Sequence, residues 1–99
     1  MTGHHQAPST SARVAFMAQL DEAMSQAALA RVNAGPQAPR EVVAVDMHLS
    51  FLQPGQGPWT ATAQVVGGGK TMVFCEAQLR NAQGDVVAQA MGTYRAQNA

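Results

Sequence analysis

Hydrophobic residues recur at helical spacing in the first third of the chain, and beyond residue 40 they alternate with polar ones. Between residues 14 and 30 most positions are Ala, Met, Leu, Phe or Gln, and Asp21 and Glu22 are the only charged residues. Candidate N-caps at positions 9–11 precede this segment, and a Gly-Pro pair follows it. The pattern predicts one helix from about Ser11 to Asn33, roughly 30 Å long at 1.5 Å per residue.

The apolar face of this helix is broad. Helical spacing places one row of residues on a common face and lets others widen it, namely Phe16, Leu20, Ala23, Ala27 and Ala30, with Met17, Met24 and Ala28 beside them. A helix that is apolar most of the way round is expected to be largely enclosed.

Four segments beyond residue 40 show the period of two that is typical of strands. They comprise residues 41–52, 59–66, 70–80 and 85–95. Hairpin-length connections join the last three, which predicts an antiparallel meander. The small residues Ala88, Ala90 and Gly92 share one face of the last strand, so the sheet should approach the alanines of the helix closely.

These elements predict an α+β fold class, with one long central helix packed on a curved antiparallel sheet of four strands. Residues 1–10 are largely polar and are expected to form a flexible N-terminal tail, and residues 11–97 a single domain.

Composition excludes several classes of function. The 99 residues suffice for one small domain, and six basic and six acidic residues cancel, without the basic stripe that nucleic-acid binders carry. No apolar run approaches the length that spans a bilayer, and the N-terminus lacks a signal-peptide layout. Cys75 is the only cysteine, which excludes an internal disulfide and indicates a buried thiol in the cytoplasm. His4 and His5 have no recognisable third ligand, so no metal is expected.

Four stretches of the sequence resemble the hotdog-fold acyl-CoA thioesterases, in particular their PaaI-like (phenylacetyl-CoA thioesterase) branch. In chain order they are Leu20-Asp21-Glu22-Ala23, Leu49-Ser50-Phe51-Leu52-Gln53-Pro54, Gly69-Lys70-Thr71 with Glu76-Ala77, and Gly84-Asp85-Val86-Val87-Ala88 with Gly92-Thr93-Tyr94. The resemblance implies a hotdog fold, an acyl-CoA substrate, no cofactor apart from the coenzyme A of that substrate, and assembly into a homo-dimer or homo-tetramer.

The chain departs from this family ahead of the helix. Family members have a strand and loop there, with a His-Gly-Gly turn about nine residues before the helix Asp, whereas Ala12-Arg13-Val14 occupy those positions here. In the family this turn helps to polarise the thioester carbonyl through a backbone N–H. The departure keeps a second hypothesis open, a non-catalytic hotdog module that binds an acyl-CoA or a small aromatic or acyl ligand.

Asp21 is the candidate catalytic residue. Thioester hydrolysis needs a carboxylate that attacks the acyl carbon or deprotonates a water, and donors that stabilise the developing oxyanion. The structural alternative is an Asp at the exposed edge of the helix, or one that caps a loop of a partner chain. Glu22 points about 100° away around the helix and is expected to be solvated.

The segment Gly67-Gly68-Gly69-Lys70 permits two interpretations. A strand follows it, so it lacks the strand-to-helix setting of a phosphate-binding P-loop, and a hairpin turn is the first interpretation. The resemblance adds coenzyme A binding by Gly69, Lys70 and Thr71, because the family bend lies near the pantetheine and phosphates. An ordinary exposed lysine is the alternative for Lys70.

The expected assembly follows from the sheet edges. The 41–52 strand resembles the family strand that pairs with its twin across a two-fold axis, and it alternates without Pro or Lys. The 58–66 strand should form the other edge. We therefore expect a dimer as the minimum unit, with the acyl site between Asp21 of one chain and the 69–71 turn of its partner.

Overall fold

A computed structural model of the chain describes residues 9–37 and 39–97. The elements in chain order are α1 (Thr10–Val32), β1 (Glu41–Phe51), β2 (Thr60–Gly68), β3 (Met72–Arg80) and β4 (Val86–Gln97). The strands form one antiparallel sheet in the order β1-β4-β3-β2, and α1 packs across one face. This confirms the predicted α+β architecture, the meander of the last three strands and both predicted edges.

Helix α1 begins one residue before the predicted start. Ser9 is its N-cap, and the Ser9 hydroxyl accepts a hydrogen bond from the backbone N–H of Ala12 at 3.1 Å. The helix ends at Val32, with Asn33 as its C-cap. Residues 1–8 of the predicted tail, including the His4-His5 pair, lie outside the described residues. In the described part of the chain, no helix is long and apolar enough to cross a membrane.

The buried face of α1 differs from the predicted row. Its buried residues are spaced by four throughout, namely Phe16, Leu20, Met24, Ala28 and Val32. Ala23 and Ala27 are only half-buried and Ala30 is exposed. Residues four apart advance by about 40° around a helix, so this row winds round it, and a curved, twisted sheet follows such a winding row. The predicted row, with an average spacing nearer 3.5, assumed a straight contact.

Small residues of β4 allow the close approach that the sequence predicts. Ala88, Ala90 and Gly92 are all buried against the helix. A Cβ atom at Gly92 would lie 3.0 Å from the Tyr94 Cε1 and 3.1 Å from the Met24 Cε, so a larger residue would require these side chains to shift. The helix residue that packs against Gly92 is therefore Met24, whereas the sequence predicted alanines at this contact.

Both edge strands contain a β-bulge that the alternating sequence pattern did not predict. In β1 the pairing with β4 shifts between Ala44 and Asp46, which leaves Val45 unpaired and 51% exposed. In β2 the pairing with β3 shifts between Val65 and Gly67. Each bulge bends its strand and increases its local twist.

Candidate functional site

Asp21 lies half-buried on α1, with its carboxylate held from the sheet. The Tyr94 hydroxyl donates a hydrogen bond to the Asp21 Oδ1 at 2.6 Å, and the Ser25 hydroxyl donates to the same oxygen at 3.3 Å. Tyr94 belongs to β4 and is 1% exposed. Asp21 is therefore neither a free surface residue nor an unpartnered buried charge. This excludes the first structural alternative, an Asp at the exposed edge of the helix.

Tyr94 remains a hydrogen-bond donor over a wide pH range. Burial raises the pKa of its phenol well above the ordinary value of 10.0, and the hydrogen bond to Asp21 and the charge of that carboxylate raise it further. A hydrogen bond with Ser25 acts in the opposite direction, and the charge of Cys75 adds a small increase. A neutral phenol at physiological pH donates its proton to the carboxylate and does not compete with it for protons.

The sequence did not identify Tyr94 or Ser25 as partners of Asp21. A signal was available for Tyr94, because it continues the inward-facing series of β4, and a buried tyrosine hydroxyl usually finds a hydrogen-bond partner. The carboxylate in an apolar helix is the matching acceptor. Ser25 is one helical turn from Asp21, where side chains four apart meet.

The three-glycine segment is a hairpin turn, as its first interpretation predicted. Gly67 and Gly68 end β2, and Gly68 has a φ of +96°, a conformation that residues with a Cβ atom rarely adopt. The Gly69 N–H donates to the Met72 carbonyl at 2.8 Å and closes the turn. Lys70 lies outside the regular strands, in contrast to the predicted third strand, which began with it.

Lys70 contacts the C-terminal end of α1 of its own chain. Its ammonium donates to the Ala34 carbonyl just beyond the helix. The Arg40 guanidinium donates to the Val32 carbonyl at 2.8 Å, and Arg31 donates to the Gly68 carbonyl at 3.1 Å. Cations at this end satisfy unpaired carbonyls and interact favourably with the helix dipole. Arg31 and Arg40 flank the predicted helix end in the sequence, whereas only the folded chain brings Lys70 beside them.

One chain does not bring the predicted site residues together. Asp21 precedes the helix end by about 12 residues, so the carboxylate and the Lys70 turn are separated by roughly 18 Å along the axis. Asp21 also follows the helix N-terminus by 11 residues, or roughly 16 Å. Asp21 and the first turn of its own helix are therefore too far apart to act on the same atom of a ligand.

Cys75 and Trp59 have structural roles. Cys75 is buried on β3, its thiol points to the Met24 carbonyl at 3.7 Å, and burial raises its pKa. A buried thiol was predicted. Trp59 stacks edge-on against Phe16 with ring centroids 5.2 Å apart, and its indole N–H donates to the Gly55 carbonyl. Trp59 therefore anchors the packing of the loop before β2 against the helix.

The outer face of the sheet forms an open trough of about 520 Å³ that contains none of the predicted site residues. Its lining is polar apart from Met91 and three alanines, and it includes His48, Ser50, Gln64, Glu76 and Gln89. The trough lies on the side of the sheet opposite to Asp21 and α1. Among the described residues, no three His, Cys, Asp or Glu side chains lie together as a metal site would require.

Residues 13–88 match the family model of the thioesterase superfamily, and the chain belongs to that superfamily. The chain has the hotdog fold, with one helix on a four-stranded antiparallel sheet, and this fold is similar to that of the solved PaaI structure. A search of curated protein sequences returned no match.

Solved structures of this superfamily share the fold. The PaaI protein from the phenylacetic acid degradation operon of Escherichia coli is 26% identical, with a TM-score of 0.72 over 100% of this chain and 66% of that one. A thioesterase-superfamily protein of Shewanella oneidensis is also 26% identical, with a TM-score of 0.77 over 86% of this chain and 62% of that one.

A third relative was crystallised with CoA. This Bacillus halodurans protein is 26% identical to the chain, with a TM-score of 0.69 over 79% of this chain and 53% of that one. The chain thus spans between about half and two thirds of the length of the solved structures that it matches.

Proposed function

We propose that this protein binds acyl-CoA and hydrolyses its thioester, with Asp21 as general base or nucleophile. The observation that carries the proposal is the Asp21 carboxylate, half-buried in an apolar helix and held through Oδ1 by a buried tyrosine. Membership of the thioesterase superfamily and the CoA-bound relative support the substrate class. The coenzyme enters only as part of the substrate, so no separate cofactor is proposed. A cytoplasmic location, expected from the single reduced cysteine, belongs to the same proposal.

The reaction assigns one task to each part of the site. As a base, Asp21 takes a proton from water as the water oxygen bonds to the thioester carbon, and the C–S bond then breaks. The sulfur leaves as CoA thiol after accepting a proton, and the carboxylate is regenerated. As a nucleophile, Asp21 itself forms the bond to that carbon, and water hydrolyses the resulting anhydride. Backbone N–H groups in the first turn of α1 would hold the carbonyl oxygen in either route.

A second copy of the chain is part of this proposal. The first turn of α1 is roughly 16 Å from Asp21 of the same chain, too far for both to act on one carbonyl. Pairing of two β1 edges would build a continuous eight-stranded sheet and two symmetric sites. Each site would place Asp21 of one chain near the 69–71 turn of the other.

The assembly is directly measurable. We expect sedimentation at micromolar concentration to give a dimer or a tetramer. A stable species at the 10.4 kDa mass of one chain would contradict the proposed assembly, and the shared site would fall with it.

The first test of activity compares two neighbouring carboxylates. With a panel of short and aromatic acyl-CoA thioesters, we expect the wild type to turn over and Asp21→Ala to lose at least about tenfold in kcat/KM, near 1.4 kcal/mol in the barrier. Glu22→Ala is the matched control, because Glu22 is exposed and hydrogen-bonded only to Gln26 among the described residues. Equal activity of Asp21→Ala and the wild type would exclude Asp21 from the chemistry.

Coenzyme binding is proposed to involve Gly69, Lys70 and Thr71. The Lys70 ammonium has three donors, so its bond to Ala34 leaves two for a phosphate. We expect Lys70→Glu to weaken CoA binding more at low salt than at high salt, because mobile ions screen an exposed charge. Arg80→Glu, the same charge change at the opposite end of β3, controls for net charge. Calorimetric affinities that are unchanged at both ionic strengths would leave Lys70 as a turn residue and helix cap.

The alternative function is a non-catalytic module that binds an acyl-CoA or a small aromatic or acyl ligand. The sequence Ala12-Arg13-Val14 favours it, because these residues replace the His-Gly-Gly turn of the related enzymes. Binding of a CoA thioester without turnover of any member of the panel would favour this module over the enzyme.

A further inference from the structure

We propose that Tyr94 is the positioning residue for the Asp21 carboxylate, which it holds by Oδ1 so that Oδ2 is presented to the substrate. This inference rests on the proposed function. Tyr94 would assist hydrolysis of the thioester through Asp21 and would not contact the substrate itself. Tyr94 is the only tyrosine of the chain, so its state can be observed directly.

The geometry distinguishes the two carboxylate oxygens. Both hydrogen bonds to the Asp21 side chain, from Tyr94 at 2.6 Å and from Ser25 at 3.3 Å, end on Oδ1. Among the described residues, none donates a hydrogen bond to Oδ2. A carboxylate held through one oxygen has a fixed plane, and its other oxygen keeps its lone pairs for a water proton or for an acyl carbon.

Tyr94 is held more firmly than the carboxylate that it positions. Its ring is buried on the inner face of β4, where Ala44 of β1 and Val73 of β3 are its paired neighbours. The Tyr94 oxygen also lies 3.5 Å from the Asp21 backbone carbonyl, so the ring contacts the helix at two points. The sheet therefore fixes the direction from which the donor reaches α1.

Ser25 is the weaker of the two donors. It lies on the same helix as Asp21, and its hydroxyl can rotate among staggered positions without any change in the backbone. Its longer hydrogen bond to Asp21 supplements the bond from Tyr94 but cannot replace it. Ser25→Ala should therefore lower turnover less than Tyr94→Phe, which removes one oxygen and keeps the buried ring.

The first arm of the experiment observes the hydrogen bond without an activity assay. The ¹³Cζ NMR signal of the single tyrosine is followed from neutral to alkaline pH in the wild type, Asp21→Asn and Glu22→Gln. Asp21 raises the pKa of Tyr94 through its hydrogen bond and its charge, so Asp21→Asn should ionise the phenol at a lower pH than in the wild type. Glu22→Gln removes an adjacent, exposed charge and should leave the titration unchanged. An unchanged titration in Asp21→Asn would show that the bond does not exist in solution and would overturn the inference.

The second arm measures kcat and KM separately for acyl-CoA hydrolysis. We expect Tyr94→Phe to lower kcat by about tenfold while KM stays within about twofold, because the bound substrate is unaffected and only the orientation of the carboxylate is lost. Wild-type kcat in Tyr94→Phe, with an active wild type, overturns the positioning role and leaves the proposed function intact. A wild type without turnover overturns both, so the two failures are distinguishable.

Discussion

Replacing Leu20 with alanine should lower the free energy of unfolding by about 3–4 kcal/mol, because a fully buried leucine loses both its transfer energy and its packing contacts. Leu20 is 0% exposed and is the second of the five buried residues of α1, directly before Asp21. A domain of this size has roughly 5–15 kcal/mol of stability in total. Urea denaturation at a fixed protein concentration, followed by the fluorescence of Trp59, measures the loss.

Met17→Ala is the matched control for this change. Met17 lies one turn earlier on the same helix and is 38% exposed, so its truncation removes a similar volume at a position that is already partly solvated. We expect a loss below about 1 kcal/mol. Similar losses in Leu20→Ala and Met17→Ala would contradict the placement of Leu20 in the core and of Met17 at its partly solvated edge.

Gly68→Ala should lower the free energy of unfolding by at least about 2 kcal/mol, whereas Gly69→Ala should change it by less than about 0.5 kcal/mol. At Gly68 the φ is +96° and an added Cβ would lie 2.2 Å from the Met72 carbonyl oxygen, so the backbone would have to move. At Gly69 no heavy atom lies within 4 Å of such a Cβ. Parallel thermal and urea unfolding of the two variants gives the comparison.

This pair of variants also bears on coenzyme binding. Gly69 is proposed to contact the coenzyme, whereas Gly68 only shapes the turn. A Gly69→Ala variant that folds normally but binds CoA less tightly would therefore support the contact proposed for residues 69–71. A small effect of Gly68→Ala on stability would contradict the turn geometry itself, and with it the position of Lys70 beside Ala34.

Much of the fold follows from periodicity alone. The change from helical spacing to alternation near residue 40 identifies one helix and four strands, and short glycine-containing connections identify the meander, because only antiparallel neighbours can be joined so briefly. The β-bulges at Val45 and Val66 were not predictable, because a bulge inserts one residue without changing which residue types are apolar. The winding contact row of α1 depends on the twist of the sheet. The spacing of apolar residues within the helix sequence does not reveal that twist.

The candidate site was predictable only in part. A carboxylate in an apolar helix is conspicuous in the sequence, and the family resemblance also points to Asp21, so Asp21 is the predicted catalytic residue. Its partner Tyr94 is 73 residues away along the chain, and only the packed structure shows that the two side chains meet. Lys70 was predicted as a coenzyme A contact from the family resemblance, with an ordinary exposed lysine as the alternative, and nothing in the sequence shows that the helix end at Ala34 also lies beside it.

The bulges in β1 and β2 restrict how copies of this protein can add to one another. An open sheet offers an unpaired strand at each side, and identical chains can in principle join side by side without limit. Here each exposed edge bends partway along its length, at Val45 and at Val66, so a partner strand keeps the regular ladder only on one side of the bend. Contacts of that limited length oppose unlimited side-by-side growth of sheets into a fibre.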